Sequence, residues 1–197
     1  MDGGVPVNGY GALTVTVLRQ GLLEGRDVAL AGGVAPAVAR ALSDLEAGVH
    51  ELDPVLDEDG VSEWAASLAR LHAVVFDSGT LFADGGQARL GMALEAAWVA
   101  TRGVATGALI PRGAGKVVLI APRAASGSFA AAASAALENL ARTLSVEWAR
   151  YGLTAVTICP GARTGDDELA ELVCFLVSPA GDYFSGCAFE LGLLHTS

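Results

Sequence analysis

Apolar residues recur at three- and four-residue steps in two long stretches of the chain. Over 129–150, Leu137, Leu140, Ala141, Leu144 and Trp148 fall on one helical face. Over Gln87–Val104, Leu90, Leu94, Ala97, Trp98 and Thr101 do the same. Glu138 and Arg142 stand four apart on another face, in the favourable order for an ion pair. Short apolar runs rich in Val, Ile and Ala lie between these helices: Asp27–Ala31, 71–76, Lys116–Ala121 and Thr154–Cys159. Each suits a strand buried on both faces. Gly48–Asp53 reads as a shorter strand. Ala12–Leu18 alternates Thr and Val and predicts a further strand, and the Gly-rich residues 1–11 are expected to be poorly ordered. Strands alternating with helices predict one α/β domain over 1–197.

Composition narrows the classes of function. The 197 residues are 52% hydrophobic, enough to bury a sizeable core and too apolar for disorder. A net charge of −10 with no basic run argues against nucleic acid and anionic membrane surfaces as partners. No apolar run reaches transmembrane length, and no charged-then-apolar signal pattern opens the chain. Cys159, Cys174 and Cys187 lack CxxC spacing and read as reduced core residues of a cytoplasmic protein. His50, His72 and His195 are too scattered to hold a metal, His72 reads as an ordinary surface histidine, and no GxSxG elbow is present.

The segment Ser134–Gly161, SAALENLARTLSVEWARYGLTAVTICPG, resembles the second half of a short-chain dehydrogenase/reductase. The likeness runs from about Leu23 to Gly192 and implies a Rossmann-like fold in reduced form, a three-layer α/β/α sandwich whose mainly parallel sheet has about six to seven strands. It also implies helices over Val61–Leu71 and Leu169–Ser178, a turn over 179–186 and a last strand over Cys187–Leu191. In that family a Tyr passes a proton, a Lys lowers the Tyr pKa and binds ribose, a Ser holds the substrate carbonyl, and an Asn keeps a relay water. Aligned by motif, the Tyr place holds Ala130, the Lys place Ser134, the Ser place Ala121 or its neighbour Pro122, and the Asn place Ala93. The resemblance therefore implies the scaffold without its catalytic groups.

The same alignment implies a vestigial nucleotide site at Gly32, Gly33, Asp53, Gly79 and Thr164. Family members have TGxxxGxG where this chain has Ala31–Leu42. Only Gly32 and Gly33 remain, and Pro36 removes an N–H from the helix start that would face a phosphate. Asp53 follows Gly33 by 20 positions, the spacing of a ribose-binding acid, and equally reads as an Asp that ends a strand before Pro54. Asp53, Asp57, Glu58 and Asp59 would crowd that edge with negative charge. Asp77-Ser78-Gly79 stands in the place of the family's NAG, with Asp for Asn, and Thr164 keeps its PGxxxT spacing. One β–α unit is missing after the glycine turn. The helical lid is also missing, and Asp166, Asp167 and Glu168 open the next helix directly.

Two functional expectations follow. The first is a non-catalytic protein, without NAD(P) or metal, that assembles with itself or with an active relative through helices 87–104 and 129–150. The second is a divergent NAD(P)-dependent oxidoreductase with a remade site. Arg123, Ser126 and Ser128 lie in the loop above the sheet's carboxyl ends, and they include no paired base and nucleophile.

Overall fold

The structure, a computed structural model, describes residues 18–68, 70–82 and 86–192. Residues 1–11, the expected strand over 12–18 apart from Leu18, and His195 therefore lie outside the described residues.

The chain opens with a turn that buries Leu23 and enters strand β1 (Asp27–Gly32). Helix α1 (Pro36–Asp44) carries Pro at its first turn, where a missing N–H is tolerated. Strand β2 (Gly48–Glu51) follows, then α2 (Glu58–Ser67), β3 (Leu71–Asp77) and α3 (Gln87–Val104). Helix α3 runs on through a π turn (Ala105–Leu109) into the single-turn α4 (Ile110–Arg112). Next come β4 (Gly115–Ile120), α5 (Ala130–Glu147), a 3-10 turn (Ala149–Tyr151) and β5 (Leu153–Cys159). Helix α6 (Asp166–Val177), a second 3-10 turn (Pro179–Tyr183) and the short β6 (Ala188–Glu190) complete the described chain.

The six strands form one sheet in the order β2-β1-β3-β4-β5-β6, and every pairing is parallel. Strand side chains alternate between two cores. Val74, Phe76, Val117 and Leu119 pack under α2, α3 and α5. Ala73, Val75, Val118 and Ile120 pack under α1 and α6. This confirms the three-layer α/β/α sandwich.

The missing β–α unit can now be placed. A doubly wound sheet usually carries a third strand outside the second. Here β2 pairs with β1, and among the described residues no strand pairs on its other side. The strand retained is the inner one.

On the apolar face of the second long helix, Leu137 and Leu144 are buried against the sheet, at 0% and 3% exposure. One expectation is corrected. Cys187 was read as a core residue; it is exposed and precedes β6, while Cys174 is buried and Cys159 half-buried, all three as free thiols.

Candidate functional site

After β1 the chain moves outward to β2 and then returns across β1 to β3. The order of strands therefore reverses between β1 and β3, and their carboxyl ends frame the crevice where α/β proteins bind ligands. Gly32 ends β1 at φ +78°. A side chain there would collide with the Asp77 carbonyl on β3, so only glycine fits. The Gly33 N–H donates to that same carbonyl at 3.0 Å.

Asp77 lies at the floor of this crevice and is almost fully buried. Its Oδ1 accepts the Gly79 N–H at 2.8 Å. Burial pushes its carboxyl up to about 6. The Gly79 N–H, the Arg123 guanidinium and the Ala35 N–H oppose that rise, and Asp166 adds to it. Ser78 is also buried, and its hydroxyl donates to the Ile120 carbonyl at 2.8 Å, fastening β3 to β4. Arg123, from the loop after β4, spans the mouth. It donates to the Thr164 carbonyl and, at 2.6 Å, to Asp166 Oδ1. The space enclosed by Gly33, Asp77, Thr80, Arg123, Ser126 and Asp166 is about 220 Å³.

The residues of the expected nucleotide site are dispersed around this point. Gly32, Gly33 and Gly79 do converge on Asp77. The Thr80 side chain, however, sits over Gly33, in the space a Cβ would occupy, and covers the surface a pyrophosphate would need. Asp53 lies beside a separate apolar pocket of about 90 Å³, lined by Leu52, Leu56, Leu81 and Val99. Its Oδ1 accepts the Val55 N–H at 2.9 Å, as expected of an Asp closing a turn. Of the neighbouring acids, Asp57 caps α2 through the Gly60 N–H and Glu58 pairs with Arg102. Thr164 is buried with no hydrogen-bond partner for its hydroxyl, next to Gly161 and Gly192 rather than lining the crevice. Ligand pockets usually hold about 300–1,000 Å³. Neither space reaches that range.

The four positions aligned with the catalytic groups are built differently again. Ala93 on α3 and Ala130 on α5 are each 1% exposed and pack together with Ala133 and the fully buried Phe82. This patch is wholly apolar. Ala121 is buried in the main core, where its N–H donates to the Ile158 carbonyl, and Ser134 is half-buried on α5. Phe82 is the residue that sequence reasoning missed. Its signal is an apolar pair, Leu81-Phe82, directly after the polar Asp77–Thr80 turn. No group of residues arranged to hold a metal occurs among the described residues.

No protein-family model matches this sequence, and no curated protein matches it. Solved structures do. A citronellol catabolism dehydrogenase of Pseudomonas aeruginosa superposes with a TM-score of 0.71 at 19% identity, over 89% of this chain and 96% of that one. A short-chain dehydrogenase/reductase family oxidoreductase of Burkholderia thailandensis gives 0.70 at 19% identity, over 84% and 90%. A gluconate 5-dehydrogenase of Burkholderia cenocepacia, in complex with NADP and tartrate, gives 0.65 at 18% identity, over 86% and 94%. With the parallel sheet, the crossover at β1 and β3 and the paired long helices in place, the fold of this chain is that of the short-chain dehydrogenases/reductases.

Proposed function

We propose that this chain is a non-catalytic member of the short-chain dehydrogenase/reductase architecture, a subunit that assembles with a second copy or with an active relative in the cytoplasm. The observation that carries the reading is the apolar packing of Ala93, Ala130, Ala133 and Phe82 where the family places its proton-transfer groups. Alanine and phenylalanine neither donate nor relay a proton, and a buried apolar patch excludes the relay water. Thr80 over Gly33, the N–H missing at Pro36 and the small crevice support the further reading that NAD(P) is not its cofactor.

Helices α3 and α5 pack side by side and offer the contact surface. Met92 and Trp98 on α3 and Val146 on α5 are large apolar side chains exposed at 54%, 40% and 75%. Ala131, Ala132 and Ala135 are exposed on α5, and small side chains let another backbone approach closely.

The test is direct. The purified protein, mixed with NADH or NADPH and a panel of common carbonyls and alcohols, is expected to show no turnover above the blank and no quenching of Trp emission by either nucleotide. Turnover that a point change in this chain abolishes would overturn the reading.

A second reading is a divergent NAD(P)-dependent oxidoreductase with a remade site. The buried Asp77 carboxyl, held near 6 beside Arg123 in the crevice, favours it, because perturbed carboxyls in clefts gather at functional sites. Micromolar binding of NADPH by calorimetry, lost in Asp77→Ala, would select this reading over the first.

A further inference from the structure

The end of the sheet opposite the crevice carries a second concave site. It lies at the amino-terminal ends of β1, β3, β4 and β5 and encloses about 410 Å³. Its floor is Ala114, Gly115 and Gly152, which leave the space open. Its walls are Arg26, His72, Arg112, Lys116 and Thr154, with Asp182 the single carboxylate among the lining residues. In a chain of net charge −10, this is a local concentration of positive charge.

The hydrogen bonding of His72 is the informative feature. Its Nδ1 faces the Asp27 backbone N–H at 3.1 Å, and its Nε2 faces Arg112 Nη2 at 2.7 Å. The Arg70 backbone carbonyl accepts from the ring as well. Burial first, and then the Arg112 and Arg26 guanidiniums, lower the ring's pKa, while the Arg70 carbonyl raises it. Both guanidiniums therefore stand close enough for their charge to be felt at the ring.

The other walls contribute charge and further donors. Arg26 and Arg112 pair with no carboxylate among the described residues. Lys116 is buried and already engaged: its Nζ donates to the Leu176 carbonyl at 3.0 Å and the Ser178 carbonyl at 2.5 Å, and pairs with Asp182 at 2.5 Å. It therefore adds field rather than a donor. The Thr154 hydroxyl lies in the same wall. Arg112 is exposed and ends the short helix after the π turn. Segments of π helix recur at functional sites.

We propose that this pocket binds the phosphoryl group of a small phosphorylated molecule, held by Arg26 and Arg112 beside His72. Two unpaired guanidinium charges match a dianion, and their planar forks match its oxygens. Asp27 and Asp182 are the carboxylates near these groups, and neither pairs with either arginine. The site is independent of the nucleotide crevice and stands whether or not the protein is catalytic.

Titration calorimetry of the full chain with inorganic phosphate at low ionic strength tests it. Binding is expected, weakened about tenfold in Arg112→Gln and again in Arg26→Gln, since each removes a charge-assisted contact. Circular dichroism checks that both variants keep the fold, and Arg112, being exposed, is the safer of the two. The His72 Nε2 resonance in 15N spectra is expected to shift with phosphate in the parent and not in the double variant. Acetate at equal concentration is expected to bind at least tenfold more weakly. No heat with phosphate up to about 10 mM, equal affinity in a folded double variant, or acetate binding as tightly as phosphate would overturn the proposal.

Discussion

Asp77 shows how one substitution in a family-like motif alters the physics of a site. The family's Asn at this place is neutral; the Asp here is a buried acid. Burial raises its carboxyl from 3.8 in a free chain to about 6. A carboxyl raised on folding binds its proton more tightly in the native state than in the unfolded one. Its contribution to stability is therefore complete below pH 4 and is lost as the pH rises through 6. Asp77→Asn keeps an oxygen for the Gly79 N–H and removes the buried charge. It is expected to raise stability by about 3 kcal/mol at pH 8 and to change little at pH 4. Urea unfolding at the two pH values checks this, and an equal effect at both would contradict it. The thiols provide a second measurement. Burial first, and nearby carboxylates second, push Cys159 and Cys174 up to about 12, while Cys187 is exposed. Alkylation at pH 8 followed by peptide mapping is expected to label Cys187 well before the other two. None of this could be read from the residue string. The three Cys look alike in sequence, and Asp77 reads only as a replacement for Asn, because burial depends on contacts with distant segments. Phe82 was illegible for the same reason: its partners Ala93, Ala130 and Ala133 lie on two helices far along the chain.

At the scale of elements, the sequence was most legible where one face is buried by a regular period. Helix α3 spans Gln87–Val104 as its apolar spacing predicts, and α5 differs from its expected 129–150 only at the ends, where the last turn tightens to 3-10. The Glu138–Arg142 pair forms at 3.5 Å. Helix α2 was misplaced: expected over Val61–Leu71, it begins at Glu58, because Asp57 caps it through the Gly60 N–H at 2.9 Å. The π turn after α3 has no residue signature in the chain and was missed. Lys116 offers a test of how these elements are joined. From β4 it reaches the last carbonyls of α6, Leu176 and Ser178, and so ties the end of that helix to the sheet. Burial pushes its ammonium pKa down, and the Asp182 carboxylate opposes that shift. Lys116→Met is isosteric in its stem but leaves two helix-end carbonyls without this donor. A loss of about 1–3 kcal/mol is expected in urea unfolding. A neutral or stabilising result would show that solvent satisfies those carbonyls as well as Lys116 does.

The whole molecule keeps the scaffold of its structural neighbours. β2 is the sheet edge among the described residues, a short Pro160–Gly165 connection leads from β5 into α6, and Ala93 and Ala130, two of the four positions aligned with the catalytic groups, pack as apolar contacts. Restoring two catalytic side chains should therefore not restore activity. Ala130→Tyr forces a large polar ring into a patch that is 1% exposed beside Phe82, so the double change with Ser134→Lys is expected to lower stability by about 1–3 kcal/mol and to yield no reductase activity. What the scaffold retains is the long-helix pair α3 and α5, and there the assembly proposal meets its sharpest test. Leu137, Leu144, Ala130 and Ala133 of α5 face inward. The remaining outward residues are Met92, Trp98, Val146 and the exposed alanines of α5. A glutamate at the exposed Ala132 leaves the core untouched and places a charge where a mate helix would approach. If this face joins two subunits, Ala132→Glu is expected to convert a dimer or larger assembly into a folded monomer, because an unpaired charge in an interface is strongly unfavourable. Light scattering with circular dichroism reads both properties at once. An unmodified protein that is monomeric at tens of micromolar would end the proposal of self-assembly, and an assembly that Ala132→Glu leaves intact would place the interface elsewhere on the molecule.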